Sequence, residues 1–224
     1  MIEPTLRSLL EPAVEPQWLD RLVRYGELVL ETNRRFNLTG AKSEAEFAPH
    51  ILDSISIRDR VSGSLVDIGS GGGLPAIPLA IVTGIPVTMV ETTLKKARFL
   101  EEVLAELGLS GEVVAQRAEV AAHDGRLREA FHTGTARAVS AAPTVAELLM
   151  PFVEIGGRLV LQRGRFEPRE RDALADAALI LGGRIAETVE LDGELRVVIV
   201  EKTGPTPMKY PRRVGVPEKK PLCF

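Results

Sequence analysis

The chain has 224 residues, 45% of them hydrophobic and 26% charged, which suits one well-buried domain with trimmings and excludes extended disorder. No apolar run approaches the roughly 20 residues that span a bilayer. The opening MIEPTLRSLLEPAVEP also lacks the basic start and continuous apolar stretch of a secretion signal, so a cytoplasmic protein without a membrane role is expected. One cysteine, Cys223, rules out an internal disulfide or a multi-cysteine metal site. The three histidines, His50, His123 and His132, match no zinc spacing, so no metal is expected.

Residues 1–60 lack strand alternation and carry helix-spaced apolar residues such as Trp18, Leu22, Val23, Val29 and Leu30, which predicts a helical cap. A second cap helix is expected over Ser43–Arg60, with Phe36 and Phe47 in the core of the cap. The rhythm then becomes that of an α/β domain over 61–204. Strands are predicted at Leu65–Ile68, Val87–Glu91, Val113–Gln116, Arg137–Ser140, Arg158–Gln162, Arg184–Glu190 and Arg196–Glu201. Helices are predicted at Pro75–Val82, Leu94–Leu107, Thr144–Val153 and Pro168–Leu181, the second with Leu94, Ala97, Leu100, Leu104 and Leu107 on its buried face. Only the turn Leu191–Glu194 separates the last two strands, which should therefore form a hairpin. The expected architecture is a seven-stranded, mostly parallel, Rossmann-like sheet with an antiparallel last strand.

Residues 205–224 read as a proline-rich extended arm. The net charge of -3 hides an asymmetry: this arm carries Lys209, Arg212, Arg213, Lys219 and Lys220 against Glu218 alone, while the remaining 204 residues sum to -7. An acidic body argues against a general nucleic-acid binder, but a local basic arm suits RNA phosphates.

The most informative stretch is Leu65-Val-Asp-Ile-Gly-Ser-Gly-Gly-Gly-Leu-Pro75. It places Asp67, Gly69, Gly71 and Gly73 between a strand and a helix, where backbone must turn tightly against a ligand. Leu74 occupies the sixth place of a G-x-G-x-x-G count, which disfavours a dinucleotide loop, and no Lys-Ser or Lys-Thr pair follows to make a P-loop. The Asp-x-Gly-x-Gly-x-Gly pattern resembles that of class I S-adenosylmethionine methyltransferases, in which an acid near the loop suits a cationic amino group. Glu91, ending the next strand, can accept both ribose hydroxyls. Cytosine C5 chemistry would need a cysteine at a strand end, and exocyclic adenine chemistry an Asn/Asp-Pro-Pro-aromatic loop; the chain has neither. Guanine N7, with a free lone pair, needs mainly orientation.

Several separated blocks sharpen this. Asn37-Leu-Thr39, His50-Ile-Leu-Asp-Ser54, the glycine loop with Ile77-Pro78-Leu79, Lys95-Lys-x-x-x-Phe-Leu100, Arg117-Ala-Glu119, Arg137-Ala138 and Gly156-Gly157 resemble the RsmG (GidB) family of bacterial small-subunit rRNA guanine-N7 methyltransferases. The resemblance implies S-adenosyl-L-methionine as cofactor, 16S rRNA or the small ribosomal subunit as partner, and a monomer with no obligatory protein partner. It implies that Gly69 and Leu74 line the cofactor loop, that Ala118 and Glu119 flank the adenine, and that Arg137 sits beside the methyl-transfer position. Arg137 and His50 are the candidate catalytic residues, although a histidine at position 50 can equally cap or link helices. Arg163 and Arg165 would extend the basic surface of the arm. Ala76, Pro49, Thr32 and the Arg163-Gly164 pair depart from the family pattern, in ways that touch RNA contact more than cofactor binding. Three other functions stay open on the residues alone: a small-molecule methyltransferase on the same fold, a nucleotide-cofactor module or oxidoreductase, and a non-catalytic RNA-binding protein.

Overall fold

The computed structural model describes residues 4–137, 139–191 and 195–223. The chain opens with the short helix α1 (Leu6–Leu10), capped by the Thr5 hydroxyl. Next, α2 (Pro16–Asn33) has proline in its first turn, where a missing N–H does no harm, and buries Leu19, Leu22, Tyr25, Gly26 and Val29. Side-chain caps start α3 (Glu44–Ile55): the N-cap Ser43 Oγ accepts from the Glu46 N–H, and the Glu46 carboxylate reaches back to the N–H of Lys42, one residue before the cap. The expected Ser43–Arg60 helix stops at Ile55, and a separate 3-10 turn covers Arg58–Arg60. Ser56 stands at the break, its hydroxyl bonded back to the Asp53 carbonyl.

β1 (Leu65–Ile68) and β2 (Val87–Val90) are buried along their whole length, as central parallel strands must be. Between them lies the apolar helix α4 (Ala76–Thr83), closed by Gly84 in the left-handed conformation. After β2 comes α5 (Leu94–Glu106), which buries Ala97, Phe99, Leu100, Val103 and Leu104. Leu94, expected on that face, is instead 63% exposed at the helix start. β3 (Gly111–Val114) begins two residues before its expected start, and a one-turn helix, α6 (Ala118–Ala121), follows it.

The fourth strand corrects the sequence reading. β4 is Phe131–Ala136, and Arg137 is the first residue beyond it rather than the start of a strand. Thr133, Gly134 and Thr135 conceal a buried strand because their polarity is satisfied internally. Thr133 exchanges hydrogen bonds with Ser62, and the Thr135 hydroxyl donates to Asp67. Gly134 admits Leu149, Leu159 and Val153, each of which would lie within about 3.0 Å of an added Cβ.

The remainder runs α7 (Ala142–Leu149), a 3-10 turn at Met150–Phe152, β5 (Val153–Arg163), α8 (Pro168–Ile180), β6 (Gly183–Glu190) and β7 (Arg196–Lys202). The expected turn at Leu191–Glu194 falls mostly outside the described residues; the Leu191 N–H donates to the Leu195 carbonyl across it. Strand order is β3-β2-β1-β4-β5-β7-β6, with β7 antiparallel to both β5 and β6. The antiparallel strand thus lies inside the rim, and β6 forms the edge.

Two apolar layers cover the sheet. On one face the cap helices, α4 and α5 pack in a single cluster against Leu65, Met89, Val160 and Ile199. On the other, α7 and α8 pack with Ala121 and Tyr210 against Val66, Ile68, Leu159 and Val198. The carboxyl ends of β1, β2 and β4 share one edge, and the glycine loop lies there.

Candidate active site

The glycine loop alternates between outward and inward positions. Gly69, Gly71 and Leu74 remain accessible, while Ser70, Gly72 and Gly73 are buried. Gly71 has φ +55, and an added Cβ would meet only the Gly69 carbonyl oxygen at an ordinary 3.8 Å, so its backbone can meet a ligand. Gly73 has a different job. A Cβ there would stand 2.6 Å from Ile77 Cγ1 and 3.2 Å from Leu100 Cδ2. Its absence lets α4 and α5 close behind the loop, so Gly73, expected to touch the cofactor, supports the loop from within.

Two acids frame the loop. Glu91, just past β2 and only 7% exposed, accepts from the Gly71 N–H at 2.9 Å and the Thr93 N–H at 2.7 Å, one on each oxygen. A carboxylate has about four lone-pair sites, so roughly two remain for a ligand's hydroxyls. Asp67 is wholly buried within β1. Its Oδ1 accepts from the Thr135 hydroxyl at 2.9 Å, while Oδ2 has no partner. Burial pushes the Asp67 carboxyl up to about 7; the Ser70 and Thr135 hydroxyls oppose that rise and the Glu91 charge adds to it.

The cap holds the loop from the opposite side, through the Asn37-Leu-Thr39 block and through Tyr25, which the sequence did not single out. Tyr25, fully buried on α2, donates its hydroxyl to the Gly72 carbonyl at 2.8 Å. Leu38 packs on Gly72, and Leu38 itself is held by the Asn33 side chain, which accepts from the Leu38 and Thr39 N–H groups at 2.7 and 3.1 Å. The Asn37-Leu-Thr39 block is therefore the back wall of the glycine loop. An isolated tyrosine on the apolar face of α2 was the available signal.

Beyond β4, the Arg137 guanidinium reaches into α3. It donates to the His50 carbonyl at 3.0 Å and to His50 Nδ1 at 2.8 Å, and lies 3.4 Å from both Ser54 Oγ and Asp53 Oδ2. Arginine can only donate, so Nδ1 is the acceptor and the neutral ring carries its proton on Nε2. Burial, and then the Arg137 charge, hold His50 below its ordinary value and so favour this neutral form. Gln162, near the end of β5, closes the group by donating to the Asp53 carbonyl at 2.5 Å. The sequence-predicted pair is thus brought together with Asp53 and Ser54 of the same sequence block, and Gln162 joins them as a partner the sequence did not single out. The other member of the Arg137-Ala138 block, Ala138, lies outside the described residues.

This chain matches the family model GidB, rRNA small subunit methyltransferase G, over residues 19–198. It belongs to that family. The ribosomal RNA small subunit methyltransferase G of Dehalococcoides mccartyi strain BAV1 is 40% identical over 209 residues, 88% of each chain. That of Synechococcus elongatus is 40% identical over 207 residues, 87% of this chain and 86% of its own. Among solved structures, MtNAS in complex with MTA and tNA aligns with a TM-score of 0.54 at 20% identity, covering 84% of this chain and 75% of its own. A SAM-dependent methyltransferase from Aquifex aeolicus aligns with a TM-score of 0.54 at 12% identity, covering 69% and 92%. At such identities these likenesses bear on the fold, which is that of the class I methyltransferases.

As a GidB-family protein, the chain is an S-adenosylmethionine-dependent methyltransferase. Its residues fit that cofactor: the unpartnered Asp67 oxygen suits an ammonium group, Glu91 has capacity for ribose hydroxyls, and Gly69, Gly71 and Leu74 offer accessible loop. Ala118 and Glu119, the residues expected to flank the adenine, open α6 after β3. However, Glu119 Oε1 accepts from the Gly215 N–H at 2.9 Å, which ties that turn to the C-terminal segment.

That segment corrects the expectation of an extended arm. Tyr210 is buried, Arg128 donates to the Thr206 and Tyr210 carbonyls, and a final turn, α9 (Val216–Lys219), packs near α7. Two expected RNA cations are committed inward. Arg212 makes a forked pair with the fully buried Glu147 at 2.6–2.8 Å. Arg163, with a side chain 18% exposed, binds the Ser140 carbonyl and Glu170, fastening β5 to the loop before α7 and to α8. Arg165, Lys209, Arg213, Lys219 and Lys220 stay on the surface, Arg165 beside Glu167.

Proposed function

We propose that this protein transfers a methyl group from S-adenosylmethionine to N7 of a guanine in small-subunit (16S) rRNA. When bound, S-adenosylmethionine supplies a methyl group activated by an adjacent sulfonium. Guanine N7 carries a lone pair and no proton, so the protein need not supply a base or a nucleophile. The observation that carries the reading is the arginine-locked histidine beside the two-acid glycine loop.

In this reading Asp67, as the carboxylate, holds the cofactor's ammonium group and Glu91 its ribose, while accessible loop backbone lies along it. The Hoogsteen edge of guanine presents two acceptors, N7 and O6. His50, fixed as the Nε2–H tautomer, donates to O6 and leaves N7 free to attack. Arg137 is the positioning residue: it sets the tautomer and the ring orientation. The surface cations Arg165, Lys209, Arg213, Lys219 and Lys220 contact phosphates, giving affinity without sequence reading. The cytoplasm, where ribosomal subunits are assembled, is the setting this requires.

The test is transfer of labelled methyl to unmodified 16S rRNA and to small subunits, followed by nucleoside analysis. Label in 7-methylguanosine supports the proposal. Label in another nucleoside, or none with the cofactor bound, overturns it.

A further inference from the structure

Isolated exposed apolar side chains are ordinary on a protein surface, but several converging on one recess are not. Val120 on α6 (51% exposed) and Met208 and Val214 of the C-terminal segment (69% and 50%) line a single notch of about 630 Å³. That volume lies within the roughly 300–1,000 Å³ of small-ligand sites. Two surface cations, Lys209 and Arg213, stand on its rim, and no carboxylate among the described residues pairs with either. Lys209 Nζ lies 5.2 Å from the Tyr210 ring centroid.

The walls are held rigidly. Glu119 binds the Gly215 N–H, a His123 ring nitrogen lies 3.1 Å from the Pro211 carbonyl oxygen, and Arg212 is forked onto Glu147. Glu119 keeps its charge when it accepts from the neutral Gly215 N–H, so the lining carries two cations, Lys209 and Arg213, against that one unneutralised carboxylate. The notch opens on the α7 face, whereas the Arg137 group lies on the cap face, and both adjoin the carboxyl edge of the sheet.

Apolar walls with cations at the rim are what an unstacked nucleotide needs: a surface for the base and positive charge for its phosphates. We propose that this notch takes one unstacked nucleotide of the substrate RNA, so that the strand crosses the carboxyl edge between the notch and the methyl-transfer position. This rests on the RNA substrate proposed above. The walls offer little hydrogen-bonding code, so the notch accepts a base by shape and stacking and adds affinity with little preference between bases.

The experiment measures binding of unmodified small-subunit rRNA across a salt series by three proteins: wild type, Val120→Ser/Met208→Ala, and Lys209→Ala/Arg213→Ala. Cofactor affinity is followed by calorimetry and wild-type 7-methylguanosine formation in parallel. The apolar double variant should weaken RNA binding roughly five- to tenfold with an unchanged salt slope, because stacking releases no counterions. The basic double variant should flatten the slope by roughly 0.7 per lost phosphate contact. Cofactor affinity should stay at the wild-type value in both. RNA binding at wild-type strength by the apolar variant overturns the notch. So does a changed salt slope or cofactor affinity in that variant, since those side chains would then serve only to shape the segment or the cofactor site. If wild type forms no 7-methylguanosine while these RNA effects appear, the proposed reaction fails and the notch stands.

Discussion

The Tyr25 hydroxyl donates to the Gly72 carbonyl at 2.8 Å, joining the second helix of the chain to the middle of the glycine loop. Both groups are buried, so neither has water to turn to if the other is lost. In the proposed reading the cap is therefore part of the cofactor site, although none of its contacts here needs to touch the ligand. Tyr25→Phe removes only the hydroxyl and leaves the packing against Phe47. It should lower stability by about 1–3 kcal/mol and weaken S-adenosylmethionine binding several-fold, read by thermal unfolding and calorimetry. A protein destabilised in this way but with unchanged cofactor affinity would show that the bond serves the cap alone.

Asp67 gives the site a pH dependence of definite sign. Its carboxyl titrates near 7 in the folded protein, above the value of about 3.9 it takes in an unfolded chain. Between those values the native state holds a proton that the unfolded state has released, so stability falls as pH rises from about 4 to 7 and then levels off. The contribution amounts to a few kcal/mol, and Asp67→Asn should flatten this part of the stability curve. Cofactor binding should run the other way. An ammonium group favours the carboxylate, so affinity should rise as pH increases towards 7, with proton release detectable by calorimetry in buffers of different ionisation enthalpy. Equal affinity at pH 6 and pH 8 would remove the ammonium contact.

Gly71 and Gly73 separate cofactor contact from packing. Gly71→Arg strains one positive-φ residue but its Cβ meets no clash, so the protein should fold and fail to bind S-adenosylmethionine. Gly73→Ala forces a methyl group against Ile77 and Leu100 at φ +97, so it should lose stability before affinity is in question. Calorimetry and thermal unfolding of both variants check the contrast; wild-type cofactor affinity in Gly71→Arg would displace the ligand from this loop.

His50 should act neutral through the physiological range, since burial and the neighbouring Arg137 both lower its pKa. At saturating cofactor, kcat should therefore hold as pH falls through 6.5. Arg137→Gln removes a nearby positive charge, which moves the His50 pKa upward and the acid limb of kcat with it. It also frees the ring, and loss of alignment should lower kcat by about 100-fold. An acid limb that does not move would separate His50 from the reaction.

Much of this site was legible because its signals are local. Asp67, the glycines and Glu91 lie at strand ends, where chain order alone places them together. The misplaced fourth strand and the docked C-terminal segment depend on distant partners instead. Thr133 and Thr135 can sit in a fully buried strand because Ser62 and Asp67 satisfy their hydroxyls. Arg212 looks like a solvent cation until Glu147 is found buried in front of it. Tyr25 stands out as a lone tyrosine on an apolar helix face, but nothing in its own helix indicates Gly72 as its partner.

The Arg212–Glu147 pair decides whether the C-terminal segment belongs to the fold or only to RNA binding. Glu147 is 0% exposed, and its oxygens accept from the Arg212 backbone N–H, Nε and Nη2. Arg212→Ala leaves that carboxylate without its countercharge, an arrangement that costs about 3–5 kcal/mol. Arg212→Lys keeps the charge but not the fork, and should recover only part of the loss. Removal of all residues after Gly204 should be at least as harmful, since it also uncovers the apolar surface under Tyr210. Urea unfolding without RNA or cofactor is the measurement. Wild-type midpoints for Arg212→Ala and the truncation would return the segment to the role of a free basic arm.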